Sequence, residues 1–371
     1  MKKIGILTFH NAYNYGAFLQ CFALQEVLKS LKYNNVEIVD YHNERICDSY
    51  RFFPKGHKSI KQKMRDCMKF ILYGNKIKKR YKKFDNDIKN RLIISEKQYI
   101  TPEEIEQIPY DYNILIAGSD QIWNRKITGV LSDAYTLNFK NQDIKKISYA
   151  ASIGDASLVG KYQNEYKEKI SKINYISVRE DSAKTELKKI IPNDISVVLD
   201  PTLLLSKDEW NKYVNDFKNE KYILAYVVAP DAEYMRIVND LANKTNLKVI
   251  FFDIRNHGYK SNKKCESAYE KGPLDFIDYI KNAEYIVTTS FHATVFSIIF
   301  NKKFFIVPHK ETGSRVTNLL EKLEIYGRIF SSYEEFKNIN YEFETDWEKV
   351  DEKLEYERKM SIEWLKNAIE G

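Results

Sequence analysis

The residues best suited to chemistry lie in Thr288-Thr289-Ser290-Phe291-His292-Ala293-Thr294. The strand predicted over Tyr285–Thr289 ends there in hydroxyls, and an apolar helix predicted over Val295–Phe300 follows. That order puts His292 at a helix N-terminus beyond a strand's carboxyl end, where an imidazole can act as general acid or base near neutral pH. The alternative is a histidine satisfied inside the packing. His10, His42, His57, His257 and His309 have no comparable setting, and no pair of them has metal-ligand spacing, so no metal site is expected.

Arg179 closes the run Tyr175-Ile176-Ser177-Val178. An arginine at a strand's carboxyl end offers a bidentate fork to phosphate or carboxylate, and the competing reading is a surface ion pair with Glu180 or Asp181. Ala117-Gly118-Ser119-Asp120-Gln121-Ile122-Trp123-Asn124 turns abruptly polar after the apolar Ile-Leu-Ile-Ala. Ser119, Asp120 and Gln121 can bind hydroxyls or a carboxylate, and Trp123 can offer a ring face to a sugar. The other reading is an N-cap by Ser119 or Asp120 with Trp123 in the core. The loop His10-Asn11-Ala12-Tyr13-Asn14-Tyr15-Gly16 precedes a helix, so Asn11, Asn14 and Gly16 are candidates for anion or sugar binding. Its alternative is a turn that needs Asn and Gly for positive φ alone. Arg315 either completes an anion clamp or ties a loop to the helix predicted at Val316–Leu323.

Elements that position these residues follow from the apolar pattern. Strands are predicted at Lys3–Phe9, Val36–Asp40, Ile114–Ala117, Ile147–Ala151, Tyr175–Val178 and Val197–Asp200, with helices between several of them. A second series runs through 222–228, Lys248–Phe252, Tyr285–Thr289 and Phe304–Val307. Alternation of this kind is that of a parallel sheet covered by helices. Two doubly wound α/β domains facing each other across a cleft are therefore expected, with ligands at the carboxyl ends of the strands. The expected division is an N-terminal domain over 1–205 with a basic helical insertion at about 50–95, a C-terminal domain over 206–345 and a final helix over 346–371. The crossing is placed at Asp200-Pro201-Thr202, with Ser206 capping the next helix.

A chain of 371 residues with 43% hydrophobic content, 27 Tyr and 20 Phe can fill two cores and is not disordered. Four cysteines without CxxC or paired spacing exclude a disulfide framework and fit a reducing compartment. The opening apolar run is too short for a signal peptide and no run reaches the length of a membrane span, so a cytoplasmic location is expected. The net charge of +7 is uneven: residues 55–91 carry fourteen Lys/Arg against Asp66, Asp85 and Asp87, leaving the remainder near −4. This stretch reads as a solvated insertion docked by Met64, Met68, Phe70, Ile71 and Leu72, or as a patch for anionic headgroups or a polyanionic substrate. No nucleic-acid motif accompanies it.

The segments IGILTFHNAYNYGAFLQCFALQ, IAGSDQIWN, YAASIG, ISVRE, VVLDPTLLL, AEYIVTTSFHATVFSIIF and GSRVTNLLEKL resemble, in that order, the polysaccharide pyruvyl transferase family. The resemblance implies a GT-B-like fold with the active site between two Rossmann-like domains and a last helix folding back on the first. It implies phosphoenolpyruvate as donor substrate, a pair of sugar hydroxyls as acceptor, and neither metal nor further cofactor. His292 corresponds to the family's proton-handling histidine and Arg179 to its donor-binding arginine, and Asp120 is expected to orient or deprotonate the acceptor. Many members carry Arg-Leu-His where this chain has Ser290-Phe291-His292, so Arg315 or Lys310 replaces that arginine, or the donor is held differently. Two rivals are a GT-B nucleotide-sugar glycosyltransferase, which would bind a nucleotide diphosphate, and a non-catalytic sugar- or anion-binding member. The acceptor is expected to be a free, nucleotide-linked or lipid-linked saccharide.

Overall fold

The computed structural model describes residues 2–51, 59–141, 143–217, 220–227, 232–253, 264–308, 313–342 and 344–371. His57, His257, His309 and Lys310 fall outside them. The chain forms two compact units, one of Met1–Asp66, Asn86–Leu205 and Glu355–Gly371, the other of Cys67–Asp85 and Ser206–Leu354.

In the first unit, seven parallel strands are ordered β3-β2-β1-β4-β5-β6-β7. They are β1 (Ile4–Leu7), β2 (Val36–Tyr41), β3 (Ile94–Tyr99), β4 (Ile114–Ala117), β5 (Lys145–Ala151), β6 (Tyr175–Val178) and β7 (Ile195–Val197). β1 and β4 are buried throughout, which is why they read as unbroken apolar runs. The chain winds from β1 out to β3 and returns beside β1 as β4, so the order reverses between β1 and β4. That reversal opens a crevice at the strands' carboxyl ends.

The second unit repeats the pattern with five parallel strands in the order β10-β9-β8-β11-β12. These are β8 (Tyr222–Tyr226), β9 (Lys248–Phe251), β10 (Cys265–Ser267), β11 (Tyr285–Thr288) and β12 (Lys303–Ile306). Here the reversal falls between β8 and β11. Ser206 caps the helix Lys207–Asn211 in a capping box, its Oγ accepting from Glu209 N–H while Glu209 Oε2 accepts from Ser206 N–H.

Three expectations change. Val197–Asp200 is not one strand: β7 stops at Val197, and Asp200 caps the helix Pro201–Leu204. Within the basic stretch, a helix spans Ile60–Arg91, and its Cys67–Asp85 part clusters with the second unit rather than the first. Met64, Met68, Phe70, Ile71 and Leu72 do not dock it; all are exposed. The packed face is instead Ile77, Arg80 and Phe84, three and four residues apart. Arg80 lies over the rings of Phe84 and Tyr269, and Lys83 pairs with Asp275 at 2.5 Å.

The last helix, Trp347–Glu370, gives its Glu355–Glu370 part to the first unit. There Ser361 Oγ accepts from Leu199 N–H at 3.0 Å, and Arg358 Nε donates to the Leu203 carbonyl at 2.9 Å. The two bonds straddle Asp200.

Candidate functional site

The polar residues that close the carboxyl ends of β1, β4, β5 and β6 form one buried network centred on Asp200. Its carboxylate accepts from Arg179 Nη1 (2.6 Å), Ser119 Oγ (2.8 Å), Thr202 Oγ1 (2.6 Å) and Thr202 N–H (3.0 Å). Beyond Arg179, Nε lies 3.6 Å from Glu180 Oε1, which accepts from Ser152 Oγ. On the other side, Thr8 Oγ1 donates to the Ser119 carbonyl at 3.0 Å and accepts from Gln20 Nε2 at 2.9 Å. Burial works against the Arg179 charge, but Asp200, Glu180 and Asp120 outweigh it and hold its pKa above the ordinary value.

Arg179 therefore does not stand as an open fork for an anion. Its side chain is 3% exposed, and three carboxylates outweigh its single positive charge. The surface pair anticipated with Glu180 or Asp181 is instead a buried pair with Asp200 and Glu180. Removing one partner of such a pair leaves a buried charge uncompensated, at a cost of about 3–5 kcal/mol.

The Gly118–Asn124 segment divides into two roles. Ser119 reaches down to Asp200. Asp120 stands at φ +74°, a conformation an Asp tolerates, and its carbonyl accepts from Ser152 N–H at 2.9 Å. Its carboxylate is partly exposed, with Oδ1 accepting from Gln121 N–H at 2.8 Å. Gln121 Oε1 accepts from Asn124 Nδ2 at 2.7 Å, held over Gly154, where φ is +74° and a Cβ would sit 2.2 Å from that oxygen. Trp123 offers no ring face to a sugar: the turn at Asp120 carries it into the core, fully buried, with Nε1 donating to the Tyr135 carbonyl at 2.9 Å. The cap of the following helix, Arg125–Thr128, is Asn124 rather than Ser119 or Asp120.

Around the loop after β1, Asn14 caps the helix Tyr15–Ser30 at φ −122°, its side chain accepting from Ala17 N–H. Gly16 lies inside that helix, and neither asparagine nor Gly16 has positive φ. The turn explanation is thus replaced by capping, and the first-turn amides of a sixteen-residue helix face the crevice end of β1. Asn11 points its amide at Cys47 Sγ, 3.4 Å away.

In the second unit, Ser290 caps the helix Phe291–Ile299, accepting from Ala293 N–H at 3.5 Å, and its own N–H donates to Thr288 Oγ1 at 3.0 Å. The helix begins four residues earlier than the apolar pattern suggested, so His292 lies within its first turn. Arg315 is likewise not in a loop but in the first turn of the helix Ser314–Lys322. Phe291 lies between the two: its ring centroid is 5.2 Å from that of His292 and 5.8 Å from the Arg315 guanidinium carbon. The structure thus brings Ser290, His292 and Arg315 together in one unit, and Ser119, Asp120 and Arg179 together in the other.

Spacing along the chain missed a further group. His10 Nε2 and His42 Nε2 both meet Asp40 Oδ1, at 2.9 and 2.7 Å. No pair of histidines has metal-ligand spacing along the chain, but parallel pairing of β1 with β2 brings ligand atoms of His10, Asp40 and His42 within 4.8 Å of one another. The bond to Asp40 and the Cys47 contact, opposed by burial, push the His42 imidazole up to about 9. Burial alone would raise the Asp40 carboxyl, but the two imidazoles hold it well below the usual carboxylate range.

Comparison with solved structures agrees with this architecture. A UDP-N-acetylglucosamine 2-epimerase matches with TM-score 0.57 and 13% identity over 98% of this chain and 95% of its own. The Rickettsia bellii enzyme of that name matches at 0.52 and 12%, over 99% and 96%. The Methanocaldococcus jannaschii UDP-GlcNAc 2-epimerase, in complex with UDP-GlcNAc and UDP, matches at 0.50 and 16%, over 96% and 99%. At such identities the likeness establishes the fold, a GT-B-like pair of α/β units. No curated protein matches the chain by sequence. The polysaccharide pyruvyl transferase profile, however, matches residues 14–311. That span takes in Asp120, Arg179, Asp200 and His292, the residues around which both clusters are built, and the chain accordingly belongs to the polysaccharide pyruvyl transferase family.

Proposed function

We propose that this chain transfers a pyruvyl group from phosphoenolpyruvate to a sugar of a cell-surface polysaccharide or its precursor, forming a cyclic ketal. The observation that carries the reading is His292 in the first turn of the Phe291–Ile299 helix, beside Arg315 and at the strand-order reversal of the second sheet. A helix N-terminus and a guanidinium suit a trianionic enol ester, and an imidazole among them suits proton transfer.

In the proposed steps, His292 as imidazolium protonates the methylene carbon of the donor, leaving an oxocarbenium-like C2. One sugar hydroxyl attacks C2 and returns a proton to His292. The C2–O bond to phosphate then breaks, and a second hydroxyl closes the ketal, its proton leaving with inorganic phosphate. Asp120, partly exposed, orients or deprotonates the acceptor. Arg179 acts as a positioning residue, holding Asp200 rather than the donor. Ser290 supplies the helix cap where many relatives have arginine, so the donor's charge falls to Arg315 and the helix ends. Asn11, Asn14, Gly16 and Gln121 are assigned to acceptor binding. Ser119 serves the network beneath.

The acceptor class is a free, nucleotide-linked or lipid-linked saccharide, and no cofactor beyond the donor enters these steps. Among the described residues no helix is long and apolar enough to cross a membrane. The reading places the reaction in the cytoplasm, and the exposed Met64, Met68, Ile71 and Leu72 on a lysine-rich helix suit peripheral contact with anionic headgroups. Incubation with phosphoenolpyruvate and a panel of pyranosides, followed by phosphate assay, tests the function. Acceptor-dependent phosphate release is expected. Turnover of a nucleotide sugar without it would assign the chain to glycosyl transfer.

A further inference from the structure

The cluster at the carboxyl ends of β1 and β2 takes no part in the proposed steps. Asp40 and His42 lie two residues apart on one face of the β2 edge, and His10 follows β1 beside them. Gln98 of β3 stands opposite Asp40 in register, its Nε2 3.2 Å from Asp40 Oδ2 and 3.0 Å from His42 Nε2. The His10 side chain is 1% exposed, whereas Asp40 and His42 are 19% and 30% exposed.

Hydrogen bonds alone satisfy this arrangement poorly. His10 Nδ1 faces the Thr8 carbonyl at 3.4 Å and Nε2 faces Asp40 Oδ1 at 2.9 Å; both partners only accept, and a neutral ring has a hydrogen for only one of them. His42 Nε2 is asked to donate to Asp40 Oδ1 and to accept from Gln98 Nε2 at once. With one site on that nitrogen, only one demand can be met. Two imidazole nitrogens and a carboxylate oxygen therefore converge on one point, all within 4.8 Å of one another.

We propose that His10 Nε2, His42 Nε2 and the Asp40 carboxylate bind one divalent transition-metal ion of the zinc class. Two imidazoles and one carboxylate form a donor set such ions favour, and three protein ligands leave a position open for water or an oxygen of a substrate. The partners one step out fit as well. The Thr8 carbonyl holds the far nitrogen of His10, Cys47 Sγ stands 3.8 Å from His42 Nδ1, and Gln98 bonds the second carboxylate oxygen. A tetrahedral ion with legs of about 2.0–2.1 Å sets its ligand atoms roughly 3.3 Å apart. The cluster needs to open by about half an ångström from its 2.7 and 2.9 Å contacts, which the exposed edge of His42 permits. The ion takes the place of protons at the two Nε2 atoms.

The test uses tag-free full-length protein stripped with chelator and titrated with Zn2+ by calorimetry and with Co2+ by visible absorption. Uptake of one ion per chain is expected, with a Co2+ ligand-field band and a rise in melting temperature on adding Zn2+. His42→Ala and Asp40→Asn should each weaken Zn2+ binding at least about tenfold and abolish that rise, while His292→Ala binds as wild type. Far-UV circular dichroism in chelator checks that the variants fold, and the wild-type Co2+ spectrum reports imidazole ligation if one does not. Absence of uptake, equal uptake by wild type and both variants, or displacement of Zn2+ by equimolar Mg2+ would overturn the proposal.

Discussion

Two arginines in this molecule, each at the carboxyl edge of a parallel sheet, are buried alike but have different neighbours. Arg179 ends β6 and is enclosed by Asp200, Glu180 and Asp120, so its charge is already spoken for inside the first unit. Arg315 opens a helix in the second unit, with the Phe291 ring as neighbour and His292 on that ring's other contact. A guanidinium at a strand end is thus not by itself an anion site. What decides is the carboxylates within reach, since a cation already outnumbered by acids gains little from another anion.

The largest effect expected from this contrast is on turnover. His292→Ala should lower acceptor-dependent phosphate release about 10²–10⁴-fold with little change in melting temperature; wild-type turnover would remove the general acid from the second unit. Asp200→Ala strips the partner from Arg179 and should destabilise the first unit by about 3–5 kcal/mol, read as a shift in urea midpoint. A shift below about 1 kcal/mol would show that Arg179 is not held by charge. Arg315→Ala should raise KM for phosphoenolpyruvate more than it lowers kcat; the same substitution at Arg179 should show first as lost stability. Smallest is Ser290→Ala, which removes a long cap bond and should cost about 0.5–1 kcal/mol by thermal melting.

The strands flanking both reversals were legible because they are buried on both faces and spell continuous apolar runs, as at β1, β4 and β11. Two strands were not. β3 (Ile-Ser-Glu-Lys-Gln-Tyr) and β10 (Cys-Glu-Ser) are sheet edges with exposed polar positions, so neither carries the Val/Ile signature. His292 could be read because strand, hydroxyls and helix are contiguous in the chain. Asp200 could not be read as a centre, because Ser119 and Arg179 reach it from 81 and 21 residues away. Trp123 misled for a local reason: the backbone takes a positive φ at Asp120, and a pattern of residue types does not reveal which way the next ring swings. Parallel pairing, invisible in spacing, assembles His10 with Asp40 and His42.

The bonds from Leu199 N–H to Ser361 and from Arg358 to the Leu203 carbonyl give the carboxyl-terminal helix an influence its sequence position conceals. It works as a splint across the segment that carries Asp200. Trimming the chain before Arg358, by a protease or by a misplaced domain boundary, would loosen the anchor of a cluster more than 150 residues upstream. Such a shortened protein should fail at the crevice of the first sheet, even with every residue of that crevice intact.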